Sequence, residues 1–216
     1  MGTQVSVALS KDGIHFQVVG SKPIGEPYFR VFQREGYYYA INRSASLARS
    51  RDGLSDFEVG NTSFADAVGH KVPAGRPTDE AEEPKAKDKK KRKKRDKDEG
   101  GPKIRHTAIK VAGDVLTLFF SRSGDLPESI MMSQARLTGD WKSWRLSPPV
   151  PVLQPEMEYE GANEQPKAPT NQEIRKLPRR MFRELRDPCI YREAGKTYLL
   201  YSVAGERGIA IAEVKD

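Results

Sequence analysis

The chain reads as an all-β propeller. A short phrase recurs at the ends of strand-like stretches: Ser10-Lys11-Asp12-Gly13-Ile14-His15-Phe16, then Ser50-Arg51-Asp52-Gly53-Leu54-Ser55-Asp56-Phe57. A looser copy, Leu137-Thr138-Gly139-Asp140-Trp141-Lys142-Ser143-Trp144, follows a long insertion. Asp-Gly supplies the positive φ of a tight hairpin, and the aromatic after it covers the sheet. A period of about forty residues, with several short strands in each, is the sequence pattern of a propeller. No persuasive apolar stripe of helical period is longer than about two turns, although Asn171 to Leu185 can hold one short helix.

The elements follow in order. Val5 to Leu9 alternates and leads through the first Asp-Gly turn into Phe16-Gln17-Val18-Val19, which look like the last two strands of a blade. A fuller unit follows: Phe29 to Gln33, a Glu35-Gly36 turn, Tyr37 to Ile41, Ala45 to Arg49, and Phe57-Glu58-Val59. Its strands are aromatic or β-branched and its breaks are Gly, Asp and Asn, as hairpins require. A third unit takes in Arg105 to Ile109, Val115 to Phe120, Ser129 to Ser133 and Trp144-Arg145-Leu146, with Pro148, Pro149 and Pro151 closing it. Pro188 to Tyr191, Thr197 to Ser202 and Gly208 to Val214 supply three strands of a last blade. The expected organisation is 1–76 as blades, the first partial, 77–102 as a disordered charged insertion, and 103–216 as blades. In all this gives about three and a half to four blades, with the last one closing on the N-terminal strands or left incomplete.

Charge is concentrated rather than spread. The 216 residues carry a formal +7, and the run from Lys85 to Lys97, ten basic residues against Asp88 and Asp96, carries +8, so the rest of the chain sums to −1. A segment with so little apolar surface cannot offset its ordering entropy, so disorder is expected there. The run lacks interleaved aromatics and a nucleic-acid-binding motif. It therefore predicts non-specific polyanion attraction and no base recognition. The single cysteine, Cys189, excludes an internal disulfide framework and a Cys-based zinc site. Three scattered histidines do not suggest a metal centre, and the sequence implies no cofactor. No stretch has the ~20 apolar residues of a membrane helix. The start lacks a secretory signal, so a cytoplasmic location is expected as written, and a secreted one if the N-terminus is truncated.

Chemistry gathers where blades begin. In a propeller the first strand of each blade lines the central channel. Asp187 in Leu185-Arg186-Asp187-Pro188-Cys189-Ile190-Tyr191 is thus expected at the channel mouth. Pro188 is expected to hold Asp187 extended, and Arg186 to serve as a charge partner or ligand clamp. Arg105-His106 takes the same place in the third unit, with His106 a substrate contact or proton carrier. Glu206, after Gly205, and Asp125 and Glu128, in Gly124-Asp125-Leu126-Pro127-Glu128, occupy corresponding turns. Each also has a purely structural reading as a turn or surface-pair residue.

Arg186-Asp187-Pro188, the strand Gly195-Lys196-Thr197-Tyr198-Leu199-Leu200-Tyr201-Ser202 and the Ser-x-Asp-Gly turns together resemble the five-bladed propeller glycosidase superfamily of arabinanases, xylosidases and invertase-like fructosidases. Tyr159-Glu160-Gly161 is similar to the phrase carrying the general acid in part of that group. The resemblance spans residues 1–60 and 103–216. It implies carboxylates around a funnel, with Asp187 as base or stabiliser and Glu160 as acid; by its position in the last blade, Glu206 is a further catalytic candidate. Arg105, His106, Arg186, Asp125 and Glu128 would contact the sugar. Glycoside cleavage needs one protonated and one ionised carboxyl across the scissile bond. Carbohydrate binding or hydrolysis is the leading expectation. A non-catalytic carbohydrate-binding or scaffold propeller is the alternative.

Overall fold

The computed structural model describes residues 5–19, 24, 28–42, 45–61, 64, 66, 103–166 and 181–215. The expected charged insertion, His70 and the first part of the expected short helix, 171–180, lie outside them. Residues 181–185 are not helical; they lead into a strand. Thirteen strands form four antiparallel sheets among the described residues, each a simple meander. The hairpin β1 (Val7–Ser10) and β2 (Phe16–Val19) comes first. The second sheet is β3 (Arg30–Arg34), β4 (Tyr37–Ile41), β5 (Leu47–Ser50) and β6 (Glu58–Asn61). The third is β7 (Lys103–Ala112), β8 (Val115–Ser123), β9 (Ile130–Arg136) and β10 (Val150–Leu153). β11 (Leu185–Glu193), β12 (Lys196–Val203) and β13 (Gly208–Val214) make the last.

The second, third and last sheets stack face to face as propeller blades, and β8 shows it. Leu116, Leu118 and Phe120 enter a cluster with Phe32, Tyr39, Ile41, Leu47, Trp141 and Trp144. Their neighbour Phe119 points the other way, into a second cluster with Leu185, Leu199, Tyr201 and Val203. Side chains alternate along a strand, so one sheet seals two interfaces. Aliphatic and aromatic groups fill both, and each buried Leu or Phe contributes about 1.5–3 kcal/mol.

The repeated turns match in detail. The Ser10 and Ser50 hydroxyls donate to Asp12 (3.0 Å) and Asp52 (2.9 Å), and each serine also accepts from the following Gly N–H. Asp12 accepts from Ile14 and His15 N–H, and Asp52 from Leu54 and Ser55 N–H. These donors hold both carboxyls well below the usual aspartate range: the His15 ring leads for Asp12 and the Leu54 N–H for Asp52. The phrase is a local Asx-type cap, readable because all its partners lie within five residues. The third copy differs. Asp140 caps a short 3-10 turn, Trp141–Ser143, and Trp141 and Trp144 turn into the core.

One strand lies elsewhere than expected. Trp144-Arg145-Leu146 is not the outer strand of the third sheet; Trp144 and Leu146 are buried core groups instead. The outer strand is β10, and it contains Pro151, which the sequence reading took as a terminator. Proline cannot donate to a ladder, so it is tolerated only at an edge or bulge. β10 is an edge, and its register shifts between Pro151 and Leu153.

Candidate functional site

The site is built at two bulges. In β7, Ile104 pairs with Arg122 and Thr107 with Phe120, so Arg105 and His106 together oppose Ser121. In β11, Arg186 pairs with Ser202 and Cys189 with Leu200, so Asp187 and Pro188 together oppose Tyr201. A bulge re-aims side chains and bends the strand. Sequence position alone aligns Arg105-His106 with Arg186-Asp187. In register, Arg105 instead matches Asp187, one residue on.

The two bulges bring their residues together. His106 Nδ1 meets Asp187 Oδ1, and the Ser202 hydroxyl donates to Asp187 Oδ2 at 3.0 Å. Neither His106 Nδ1 nor Asp187 Oδ1 has a hydrogen-bond partner elsewhere, so the two buried atoms face each other. Burial pushes the His106 pKa down, followed by the Arg105 charge, with Glu206 opposing. Asp187 is not extended. Its φ is +50°, a left-handed conformation that aspartate tolerates better than most residues. Pro188 restricts the αR region, and the chain escapes it through αL rather than through the β region.

Beneath this pair lies a buried ionic network. Arg186 is 6% exposed, and each of its three nitrogens faces a carboxylate. Nε donates to Glu128 at 3.0 Å, Nη2 pairs with Glu184 at 2.5 Å, and Nη1 donates to Glu206 at 3.3 Å. Glu128 also accepts from the Ser121 hydroxyl at 2.7 Å and from Arg105 at 3.3 Å. Glu128 and Glu184 bridge in parallel, and the Leu185 N–H donates to the Glu128 carbonyl at 2.9 Å. The network thereby ties the third sheet to the last. Burial pulls the Arg186 pKa down, but Glu128 and Glu184 outweigh it, and the net shift is upward.

The nominated residues thus separate by exposure. His106, Asp187, Arg105 and Glu206 keep solvent-accessible surface. Arg186 and Glu128 are enclosed, and their polar atoms are engaged with one another. Asp125 pairs with Arg122 at 2.8 Å inside its own turn.

Glu160 has a different environment from the one expected of a funnel acid. It is 4% exposed, and Oε1 accepts from the Tyr201 hydroxyl at 2.8 Å. Oε2 accepts from the Glu156 and Met157 N–H groups at 2.9 and 3.0 Å. Burial and this carboxylate push the Tyr201 pKa well up. Gly161, at φ +83°, lies so close to the Phe182 carbonyl that an added Cβ would come within 2.3 Å of it. The Tyr-Glu-Gly phrase therefore pins its loop against the last sheet. The residues opposite the two bulges play parallel parts: Ser121 binds Glu128, and Tyr201 binds Glu160.

Two site residues escaped the sequence reading. Glu184 precedes its strand within a polar connection and carries no local signature. Tyr28, outside β3, packs its ring 4.5 Å from that of His106. A concavity of about 430 Å³ lies at the opposite ends of β7 and β11, lined by Lys110, Arg192, Glu193 and Lys196, away from where the carboxylates converge.

No protein-family model matches the sequence. An uncharacterized protein of Acanthamoeba polyphaga mimivirus is 34% identical over 210 residues, which is 97% of this chain and 52% of that protein. The chain therefore spans about half the length of the curated relative it matches. Among solved structures, a Cellvibrio cellulosa alpha-L-arabinanase complexed with arabinohexaose is 11% identical, covers 87% of this chain and 47% of its own, and has a TM-score of 0.47. An endo-1,5-alpha-L-arabinanase from Thermotoga petrophila is 14% identical, with 87% and 37% covered and a TM-score of 0.47. A Bombyx mori beta-fructofuranosidase in complex with sucrose is also 14% identical, with 94% and 35% covered and a TM-score of 0.44. Among the described residues no helix is long and apolar enough to cross a membrane.

Proposed function

We propose that this propeller is a member of the glycosidase-like group and binds a carbohydrate at the mouth formed by Arg105, His106, Asp187 and Glu206, with hydrolysis as the activity. One observation carries the reading: two separate blade-start bulges aim Asp187 and His106 into direct contact over a buried ionic base. Residues 81 positions apart meet there, with backbone strain at Asp187, and strain of that kind concentrates at functional sites. Asp187, held by Ser202 and His106, is the base or stabiliser of this reading. Glu206, on the turn after β12, is an exposed carboxyl of the mouth that pairs with Arg186 at 3.3 Å, which suits a carboxylate contacting the sugar. Glu160 holds its loop, since both of its oxygens are occupied.

The decisive assay is hydrolysis of a panel of nitrophenyl furanosides and pyranosides by wild type and Asp187→Asn. Turnover that disappears in the variant supports hydrolysis. A second reading, binding without turnover, is favoured by the sealed environment of Glu160. It predicts that arabino-oligosaccharides perturb the His106 imidazole resonances while no nitrophenol is released. Absence of both turnover and binding refutes the carbohydrate reading.

A further inference from the structure

We propose that Tyr28 is the stacking wall of this mouth, setting the orientation of an uncharged sugar ring over the His106–Asp187 pair. The inference rests on the carbohydrate reading. Two independent observations point to it. Tyr28 has φ +61°, a left-handed conformation that is an outlier for a bulky side chain. Such a conformation persists only where the surroundings impose it, and it is a recurrent feature of ligand clamps. The ring it places is also not hidden. Tyr28 is 42% exposed and packs on the His106 ring at 4.5 Å and 50°. A core tyrosine would bury its ring. This one covers one side of the imidazole that meets Asp187 and keeps exposed surface toward solvent.

The chemistry of the ligand follows from the charges. Arg30, Arg105 and Arg186 stand against Glu128, Glu184, Asp187 and Glu206 around His106. Four carboxylates outnumber three guanidiniums there, so the net charge of the mouth is negative and disfavours an acidic sugar. An aromatic face beside a carboxylate suits a neutral ring: its apolar C–H face lies on Tyr28 while its hydroxyls reach Asp187. Arg30 fixes the approach, because its Nε donates to the Thr107 carbonyl at 2.8 Å and so ties the start of β3 to the bulged strand β7.

The test measures binding of p-nitrophenyl α-L-arabinofuranoside, β-D-xyloside and β-D-glucuronide by saturation-transfer NMR, with initial rates where turnover occurs, for wild type, Tyr28→Ala, Tyr28→Phe, Tyr28→Asn and Asp187→Asn. A neutral glycoside should bind about tenfold more weakly to Tyr28→Ala, with KM rising and kcat little changed, and Tyr28→Phe should restore wild-type affinity. Tyr28→Asn, whose side chain tolerates the left-handed backbone, should melt no lower than wild type yet bind as weakly as the alanine variant. Wild-type affinity in Tyr28→Ala, equal loss in Tyr28→Phe, or a preference for the glucuronide overturns the stacking role. If Asp187→Asn abolishes turnover or binding while Tyr28→Ala changes nothing, the stacking wall fails and the carbohydrate site stands. If wild type binds none of the three, both fail together.

Discussion

Replacing Arg186 by leucine would strip two enclosed carboxylates of their guanidinium at once. Glu128 and Glu184 are each 3% exposed, and Arg186 donates to the first at 3.0 Å and pairs with the second at 2.5 Å. Removing one partner of a buried ion pair costs about 3–5 kcal/mol, because the remaining charge stays desolvated. Glu128 keeps Ser121 and Arg105, which holds the effect within that range rather than above it. For a chain of this size each kcal/mol lowers Tm by about 2–4 °C, so a fall of about 6–20 °C is expected. The Arg186 pKa is raised in the fold, so its contribution is fully present below the ordinary arginine range and is lost only as pH rises beyond it. Wild-type stability should therefore show no dependence on this group between about pH 5 and 9. In the variant the stranded carboxylates are buried charges without a partner, and burial disfavours the charged form. The deficit should accordingly shrink as pH falls toward about 4. Urea denaturation followed by the fluorescence of buried Trp141 and Trp144 measures both quantities. A loss below about 1 kcal/mol, or a deficit that does not change with pH, would refute the account, because it would place the network in water rather than in the interior.

Tyr201→Phe should leave Glu160 Oε1 without its hydroxyl donor, costing about 1–3 kcal/mol in the same urea assay. Gly60→Ala should cost about 1–3 kcal/mol, since its Cβ would lie 2.3 Å from the Trp141 ring, and near-UV circular dichroism should report the displaced indole. Asp52→Asn should alter the acid limb of the stability profile. The Asp52 carboxyl is held below its ordinary value of 3.8, so its contribution is present above that pH and is lost as pH falls below it. The variant should thus be less stable than wild type at pH 6 and approach it in acid; parallel profiles would refute the assigned role.

The blades were legible because their signals are local. Aromatic and β-branched runs, Asp-Gly turns and the serine cap all act within a few residues, and strands β1 to β9 and β11 to β13 lie close to where the pattern puts them. The failures are non-local. Trp144 and Leu146 read as a strand, but their burial against the second sheet outweighs that preference. Pro151 reads as a stop, but an edge position removes the penalty for its missing N–H. The convergence of Asp187 with His106 followed from the expectation that blade starts share an axis. The bulges that achieve it depend on cross-strand register, and no residue type announces them. Glu184 and Tyr28 were invisible for the same reason: their partners lie in other blades or across the mouth. Glu160 shows the converse, a familiar phrase whose carboxylate is consumed by Tyr201 and two backbone amides.

The split allegiance of β8 bears on how this chain acquires and loses its structure. Leu118 and Phe119 are consecutive, yet each belongs to a different inter-sheet seam. A slip of one residue would drive Thr117 and Ser121 into the aromatic seam and expel Leu118 and Phe120, leaving no near-native alternative for the ladder. None of the second, third and last sheets can then melt alone without opening the face of a neighbour. Excising the third sheet as a minimal module would therefore yield an aggregating fragment, whereas cooperative loss of the second, third and last sheets in a single transition is what calorimetry should record.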